Sequence, residues 1–503
     1  MFDKIKNWFI GKGAKLGMVK ELTHVTDHEK ISVGVSEYNR IEENKRMYKA
    51  KYDDVIYINS NGDKKKRPLH SINIAKVIAH KLSKLIFNEG ISVGITGSDK
   101  VDKFVQAVLE DNNFRSSFGE QLEAGYAIGG VAIRPFVDDE DRIRLSYAQA
   151  DSFFPLSSNT SEVEECTFTF KDEVREGKDT YFYTLFEFHE FKQGVYTITN
   201  ELYKSDKVNK IGHKVALSSL DKYQDLEPVA VLEGFTRPLF VYIKLAGKNN
   251  VDLNSPLSLG IVDNSKQQFR DINEKYDMFM HEIKNAQRKI TATDHFFKTD
   301  FDSQGKPVTK FGDDTDVYQV YRGGIDDAKM QEFAPDLRSA EFIESINFIL
   351  RIIEMQTGFS AGTFSFDGQS VKTATEVVSE NAETYSTRQD NVLIVARAIK
   401  QLVLNIIELA QYYDLISLEN KDVLHINVDF DDGVFESKDA KLEYYGKANT
   451  LNLMPTTISM QKAFGIDEAE SLKWFRMRQL ELRGLDPVEW QVENEADTFG
   501  AEE

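Results

Sequence analysis

The chain has 503 residues, of which 41% are hydrophobic and 11% aromatic, and this is enough apolar material for roughly two to four folded modules. Its one cysteine, Cys166, excludes an intrachain disulfide, as expected for a protein assembled in a reducing cytoplasm. The net charge of −20 argues against a protein that binds DNA tightly through its phosphates, because such binding draws its affinity from clustered Lys and Arg.

The first twelve residues place apolar side chains on one helical face beside lysines. The apolar side chains are those of Phe2, Ile5, Trp8 and Phe9. Such a face could suit a membrane surface, but a pattern this short favours an arm that docks on another protein. No segment is long and apolar enough for a membrane span and no signal peptide is visible, so we expect a soluble protein.

Residues 20–120 are predicted to be mainly helical. One clear apolar face, on a helix starting near Ser71, is formed by Ile74, Val77, Ile78, Leu82, Leu85 and Ile86. Before this helix, Val55 to Ile58 has the composition of a strand, and the basic run Lys64 to Arg67 follows an Asn-Gly pair. We interpret the basic run as a surface turn rather than a nucleic-acid contact, because most charge runs are merely solvated.

From Val131 to Ile243 the pattern changes to the alternation of strands, which predicts a mixed α+β region. Lys192-Gln193-Gly194 predicts the turn of a hairpin whose second strand covers Val195 to Leu202.

A long helix is predicted next, because Asn254-Ser255-Pro256 marks a boundary and Pro256 can start a helix that runs to about Ala286. Three basic residues lie near its end: Lys284, Arg288 and Lys289. They complement the negative end of the helix dipole, and they are also candidates for contact with DNA or an adaptor protein. Strand patterns follow at Lys289 to Thr293 and at Val317 to Tyr321.

Two further helical patterns flank a loop rich in Gly, Phe and Ser. The first begins near Leu337 and has an apolar stripe of Ile343, Ile346, Ile349, Leu350 and Ile353. The loop TGFSAGTFSFDGQSV, residues 357–371, has too many glycines for a helix and too few charges for a disordered linker, so we expect it to pack against something. Thr373 and Glu376 form a capping box that starts a helix predicted to reach about Tyr413, a length of roughly 60 Å.

The C-terminal region is predicted to contain one strand and three helices. The strand, Val423 to Phe430, should return to the sheet of the α+β region, and the helices cover about 437–450, 456–464 and 467–482. The helix pair around Gly465 has the outline of a helix-turn-helix, but acidic residues open its second helix where a DNA reader needs basic ones. The end of the chain, residues 486–503, is predicted to be a disordered acidic tail.

Motifs for catalysis or metal binding are not apparent. The Gly-Lys pairs lack the spacing of a phosphate-binding loop, and His24 and His28 lack both the order H-E-x-x-H and a third ligand. Two aspartate clusters lack the glycine and distal glutamate of an EF-hand: Asp313, Asp314 and Asp316, and Asp429, Asp431 and Asp432. We therefore predict no enzymatic activity, no metal and no cofactor, and we interpret Cys166 as a small strand residue.

The run from GFSAGTFSFDG through SVKTATEVVSE to NAETYSTRQ resembles the portal proteins of tailed phages that infect Gram-positive bacteria. The resemblance also covers PLSLGIVDNSKQQFRDINEKYDMFMHEIKNAQRKI and extends over most of the chain. It implies an α+β portal-type fold whose segments carry the family's names. These are the wing (1–255), a stem helix (256–288), a small β-containing clip (289–336), a second stem helix (337–356), the tunnel loop (357–371), a long kinkable helix with a strand returning to the wing (372–435), a helical crown (436–485) and the acidic tail (486–503).

The resemblance further implies a ring, typically of twelve copies, at one vertex of the virion capsid, assembled in the host cytoplasm. DNA would pass through it without sequence specificity during packaging and ejection, and its partners would be the terminase large subunit, a head-completion adaptor and capsid or scaffold protein, with no membrane. On this model the tunnel loop projects into the channel, and Phe359, Phe364 and Phe366 pack between subunits. The candidate DNA-channel residues are Phe359, Ser360, Thr363, Phe364, Ser365, Phe366, Asp367, Gln369 and Ser370.

Two other function classes remain open from the residues alone. One is a metal-dependent DNA-processing enzyme whose ligands are scattered carboxylates. The other is a scaffold protein associated with a membrane or capsid through the amphipathic N-terminus.

Overall fold

The computed structural model describes most of the chain, in two compact units that correspond to residues 1–429 and 430–503. The described residues are 21–58, 62–87, 91–159, 162–286, 289–293, 298–301, 305, 307–310, 318–321, 330–365, 381–417, 424–430, 438–466 and 468–482. Helices and sheets are mixed along the chain, which confirms the predicted α+β class.

Four helices and a hairpin form the first part of the larger unit. The helices are α1 (Val35–Tyr48), α2 (Ile74–Ile86), α3 (Asp99–Asp111) and α4 (Phe114–Ile128). The strands are β1 (Val55–Ile58), β2 (Lys64–Arg67) and β3 (Ser92–Thr96), of which β1 and β2 pair antiparallel. The apolar face of α2 packs into the core as predicted except at Val77, which is 49% exposed.

Two antiparallel sheets make up the β-rich part. The strands are β4 (Val131–Val137), β5 (Ile143–Gln149), β6 (Phe153–Ser158), β7 (Val163–Glu176), β8 (Asp179–Lys192), β9 (Val195–Ser205), β10 (His213–Val215), β11 (Val229–Glu233) and β12 (Val241–Ile243). The smaller sheet has the order β12-β4-β5, and the larger has the order β10-β9-β8-β7-β6 with β11 also paired to β9. The predicted turn at Lys192-Gln193-Gly194 joins β8 to β9.

A buried ionic cluster joins the two sheets. Arg134 on β4 donates from Nη2 to the Glu187 carboxylate on β8 at 3.0 Å, and His189 lies 2.6 Å from the same carboxylate. Burial raises the pKa of Glu187, but the charge of Arg134 and the hydrogen bond from His189 outweigh it and lower that pKa overall. Arg134 and Glu187 therefore compensate each other's charge inside the apolar core. A lone buried carboxylate would have no such compensation and would destabilise the fold.

A second buried cluster fixes the entry to the next helix. Arg40 on α1 donates to the carboxylates of Glu37 and Asp263, and to the carbonyl of Ser258 at 3.1 Å. Asp263 also accepts from Asn44 at 2.8 Å. Since Asp263 begins the 3-10 turn that leads into the long helix α5, three residues before Lys266, these contacts bind the approach to that helix to α1.

The helices α5 (Lys266–Asn285) and α6 (Ser339–Thr357) pack together antiparallel, and several short strands lie between them along the chain. Phe279 stacks on Phe342 with ring centroids 5.2 Å apart, and Arg338 pairs with Glu282 through Nε at 3.0 Å. Between the helices lie β13 (Lys289–Thr293), β14 (Lys298–Phe301), β15 (Pro307–Lys310), β16 (Tyr318–Tyr321) and β17 (Met330–Phe333). Strand β13 is central, parallel to β16 and antiparallel to β17.

The longest described helix is α7 (Ala382–Tyr412), and it is followed by β18 (His425–Asp429). Its buried stripe includes Val395, Ile399, Leu402, Ile406 and Ala410, as predicted, whereas Tyr413 is 44% exposed. The described residues of the smaller unit form α8 (Lys438–Thr450), α9 (Thr456–Phe464) and α10 (Glu468–Leu482), close to the predicted bounds. Gly465 ends α9 in the left-handed conformation.

The structure corrects three predictions. Lys64 to Arg67 is the strand β2 and not a turn, because it pairs residue for residue with β1. Pro256 does not start a helix, since α5 begins ten residues later at Lys266. The strand after the long helix pairs with β3 within residues 1–255, but not with the large sheet.

Candidate functional site

The loop that follows α6 starts with a sharp change of backbone direction. Gly358 takes the left-handed conformation at φ +73°, and a Cβ atom there would lie 2.3 Å from Oγ1 of Thr387 on α7. Thr357 donates its hydroxyl to the Ile353 carbonyl at 2.7 Å and so completes the last turn of the helix. A side chain at this position would be strained by the left-handed backbone and would meet Thr387, so glycine suits the first position after α6.

Glu354 anchors the loop to the helix that precedes it. The residue is fully buried, and its carboxylate accepts hydrogen bonds from the backbone N–H groups of Gly362, Phe364 and Ser365 at 2.9, 2.5 and 3.1 Å. Three loop amides thus converge on one carboxylate, a strong arrangement because the acceptor is ionised. Residues 362–365 are held against the last turns of α6.

A second contact holds the loop to the first turn of α7. The Ser360 amide donates to Oγ1 of Thr384 at 2.8 Å, and the Thr384 amide donates to Oγ of Ser360 at 3.2 Å. Both side chains are buried, at 5% exposure each. The start of the loop is therefore bonded on one side to α6 and on the other to α7.

Two phenylalanines and a lysine fill the space beneath the loop. Phe359 is 2% exposed, and its ring centroid lies 5.0 Å from that of Phe364 in an edge-to-face arrangement. Nζ of Lys81 on α2 lies 5.4 Å from the centroid of the Phe364 ring. Burial lowers the pKa of Lys81, and the negative charge of Glu354 opposes that effect. Phe359 is thus buried inside its own subunit, which differs from the prediction that it packs between subunits.

A cavity of about 300 Å³ lies beside the start of the loop. It is lined by Gln356, Thr357 and Gly358, by Thr387, Asp390 and Asn391 of α7, and by residues 245–248 and 258–261. Oδ1 of Asn391 accepts from the Ala246 amide at 3.0 Å. Polar and apolar groups line the space next to Gly358 in similar measure.

Among the predicted site residues, Phe359, Ser360, Thr363, Phe364 and Ser365 lie together in the described start of the loop, whereas Phe366, Asp367, Gln369, Ser370 and Arg288 fall outside the described residues. Lys284 is exposed in the last turn of α5, and Lys289 begins β13. Sequence analysis missed Glu354, Thr384 and Lys81, which meet the loop from separate helices and carry no local motif.

The described residues contain no cluster of three or more His, Cys, Asp or Glu side chains that could hold a metal ion. Cys166 is fully buried in β7, and burial raises the pKa of its thiol well above the usual value. His28 is also buried and lies 3.3 Å from the Glu201 carboxylate. Nor does any helix in the described part of the chain have the length and apolar character needed to cross a membrane.

The model of the family described as "Phage portal protein, SPP1 Gp6-like" matches residues 27–482. No match was found among the curated proteins.

Proposed function

The chain belongs to the SPP1 Gp6-like family of phage portal proteins, and we propose that it forms a ring-shaped channel at a capsid vertex through which the genome is packaged and ejected. The observation that carries the proposal is the family match, which covers all the helices and sheets described above. The matched family is a structural one, and we propose that this chain has no enzymatic activity.

The arrangement of elements supports the proposed ring. Helices α5 and α6 form the two stem segments, and the short strands between them form the clip. The β-rich region and the first helices form the wing, and α8 to α10 form the crown. A head-to-tail interface that closes on itself suits a chain built of such distinct modules.

The loop after α6 is proposed to line the channel. Glu354 and Thr384 hold its first residues, so a segment anchored at its base would contact passing DNA through its backbone and its Ser, Thr and Gln side chains. A net charge of −20 suits this role, since few cationic anchors would retard a sliding polyanion. Lys284, Arg288 and Lys289 are proposed contacts to DNA or to an adaptor at the junction of stem and clip.

The partners follow from the proposed position in the virion. We propose a dodecameric ring that docks the terminase large subunit, a head-completion adaptor and capsid or scaffold protein. DNA hydrolysis and ATP turnover then belong to those partners.

The first test is the mass of the purified protein in solution by light scattering, with negative-stain images of the same fraction. We expect closed rings of about a dozen subunits around a central hole. A strictly monomeric species at every concentration would contradict ring formation by this chain alone, and metal-dependent cleavage of DNA by that monomer would favour an enzyme.

A test of the loop's role requires a deletion that keeps the residues by which the loop is anchored. Removing residues from Ser360 onward would leave the buried Glu354 carboxylate without its three donors and would destabilise the subunit. Deleting Asp367 to Ser370 retains all three donors. We expect rings of this variant to form normally but to fail in DNA packaging, and normal packaging would show that the loop is not required.

A further inference from the structure

The β1–β2 hairpin presents an unusual surface. The register pairs Ile56 with Lys66 and Ile58 with Lys64, so these four side chains lie on one face of the two-stranded sheet. Ile56 and Ile58 are 54% and 73% exposed, and both lysines are exposed. We call these four residues the hairpin outer face. Two exposed isoleucines flanked by lysines are typical of a surface that another protein covers.

The opposite face of the hairpin is bound to α5. Arg67 makes a bidentate ion pair with Asp277, with both N–O distances at 2.6 Å, and the His70 amide donates to the same carboxylate at 3.0 Å. Arg67 lies on the face opposite to Ile56 and Lys66, because successive strand residues alternate. The hairpin outer face is therefore directed away from α5.

Helix α6 lies on the other side of α5. Two of its side-chain contacts are to Phe279 and Glu282 of α5, which lie about 200° and 140° around the helix from Asp277 at 100° per residue. In each subunit the hairpin and α6 thus flank α5 on roughly opposite sides.

The outward side of α6 carries a matching stripe. Glu341, Glu344, Phe348 and Met355 follow a heptad spacing on the face opposite to the buried Ile346, Leu350 and Ile353. Phe348 and Met355 are 63% and 67% exposed, and both glutamates are exposed. We call these four residues the α6 outer stripe. Arg351 lies on the same side and is exposed.

We propose that the hairpin outer face of one subunit docks on the α6 outer stripe of its neighbour in the ring. Each surface has two apolar side chains. The hairpin outer face carries two lysines and the α6 outer stripe two glutamates, so their charges are opposite, although Arg351 beside the stripe offsets part of its negative charge. Because the two surfaces are different patches of one subunit, the contact is heterologous and repeats from copy to copy until the ring closes. The inference rests on the proposed ring and names the surfaces that build it.

A cysteine pair tests the contact directly, since the one native cysteine, Cys166, is fully buried and does not compete. In the full chain we expect Ile58→Cys with Phe348→Cys to give a ladder of disulfide-linked oligomers on a non-reducing gel. The control, Ile58→Cys with Leu393→Cys, places the second thiol at an equally exposed position of α7, where Leu393 is 69% exposed. It should give no ladder.

Charge reversal provides the second measurement. Lys64→Glu with Lys66→Glu, or Glu341→Lys with Glu344→Lys, should raise the concentration needed for assembly at least tenfold, and combining both pairs should restore it. Lys65→Glu, on the other face of the hairpin, is the matched control and should assemble as the wild type does. All these side chains are exposed, so each variant is expected to keep the wild-type melting temperature.

The possible outcomes distinguish an error in the docking contact from an error in the proposed ring. Wild-type rings without a ladder, or rings unaffected by either charge reversal, would overturn the docking while leaving the portal function standing. Intact rings of the Lys64→Glu, Lys66→Glu variant with weakened DNA retention would show that the hairpin contacts nucleic acid instead. Wild-type protein that forms no oligomer would contradict the proposed ring and the docking with it.

Discussion

Glu354 is the residue on which the start of the loop after α6 depends, because its buried carboxylate accepts from three loop amides. We expect Glu354→Gln to lower the free energy of unfolding by about 1–3 kcal/mol, since the new amide group faces a backbone donor. Hydrogen exchange should show faster exchange at Gly362, Phe364 and Ser365. Glu383→Gln, at an exposed position of α7, is the control, and equal stability of the two variants would contradict the anchoring role.

Gly358 and Gly362 form a natural comparison at the same loop. Both have positive φ, at +73° and +85°, but an added Cβ meets Thr387 only at Gly358 and meets nothing within 4 Å at Gly362. We expect Gly362→Ala to cost about 1 kcal/mol from the backbone conformation alone, and Gly358→Ala to cost a further 1–3 kcal/mol from the clash.

Thr387→Ala should relieve that clash and recover part of the loss in the Gly358→Ala background. Denaturant titration of the two single alanine variants and of the double variant measures all three values. Equal losses at the two glycines would show that Thr387 moves aside without cost.

Glu201, on β9, gives the β-rich region a defined acid sensitivity. Burial raises the pKa of this carboxyl, but hydrogen bonds from His28 and Lys214 outweigh it and lower the pKa from 4.5 to about 2. Since the folded pKa is depressed, the stabilisation is present above pH 4.5 and is lost as the pH falls from about 4.5 toward 2.

We therefore expect Glu201→Gln to be less stable than the wild type at pH 7 by roughly 1 kcal/mol after solvent screening, with the difference vanishing near pH 2. Thermal melts from pH 7 to pH 2 measure it. A difference that stays constant with pH would show that the carboxylate charge is not the cause.

At the scale of elements, the β1–β2 hairpin depends on one ion pair. The guanidinium of Arg67 lowers the pKa of Asp277, in keeping with a strong bidentate contact. A two-stranded sheet is marginal by itself in water, so we expect Arg67→Ala to loosen the hairpin and to cost about 1–3 kcal/mol.

Amide exchange of residues 55–58 and 64–67 would report the loosening. Lys65→Ala, on the same strand and the same face but without a carboxylate partner among the described residues, serves as the comparison. Unchanged protection in Arg67→Ala would show that strand pairing alone suffices to hold the hairpin.

Elements that depend on neighbouring residues could be predicted from the sequence, and those that depend on distant ones could not. The β8–β9 hairpin was predictable because its turn, Gln193-Gly194, is local. The strand β2 was not, because four basic residues become a strand only through β1 and through Asp277, which lies 210 residues from Arg67.

The same distinction applies to the candidate site. The loop's place between two helices was predicted from its glycines and from the apolar stripes beside it. Its anchors were not predicted, since Thr384 lies 24 residues from Ser360 and Lys81 meets Phe364 from another helix. The prediction at Pro256 failed for a different reason. Proline is suited to start a helix, but in the structure Pro256 lies in the loop before α5.

At the scale of the whole molecule, the division into units at residue 429 predicts that the larger unit folds without the smaller one. Truncation after Asp429 keeps β18, whose five residues pair with β3, and should leave the melting temperature of the larger unit unchanged. Truncation after Ser417 removes β18 and leaves β3 without that partner. We expect it to cost a further 1–3 kcal/mol, which thermal melts of the two truncated chains would measure.

The truncated chain also separates assembly from the other proposed roles of the smaller unit. Residues 1–429 contain the hairpin outer face, α5 and the α6 outer stripe, so every side chain of the proposed contact between subunits is retained. We therefore expect the chain ending at Asp429 to form rings of the same copy number as the full chain, as measured by light scattering. Folded monomers with an unchanged melting temperature would mean that the smaller unit supplies the decisive contacts, and the hairpin would then be at most a secondary part of the interface.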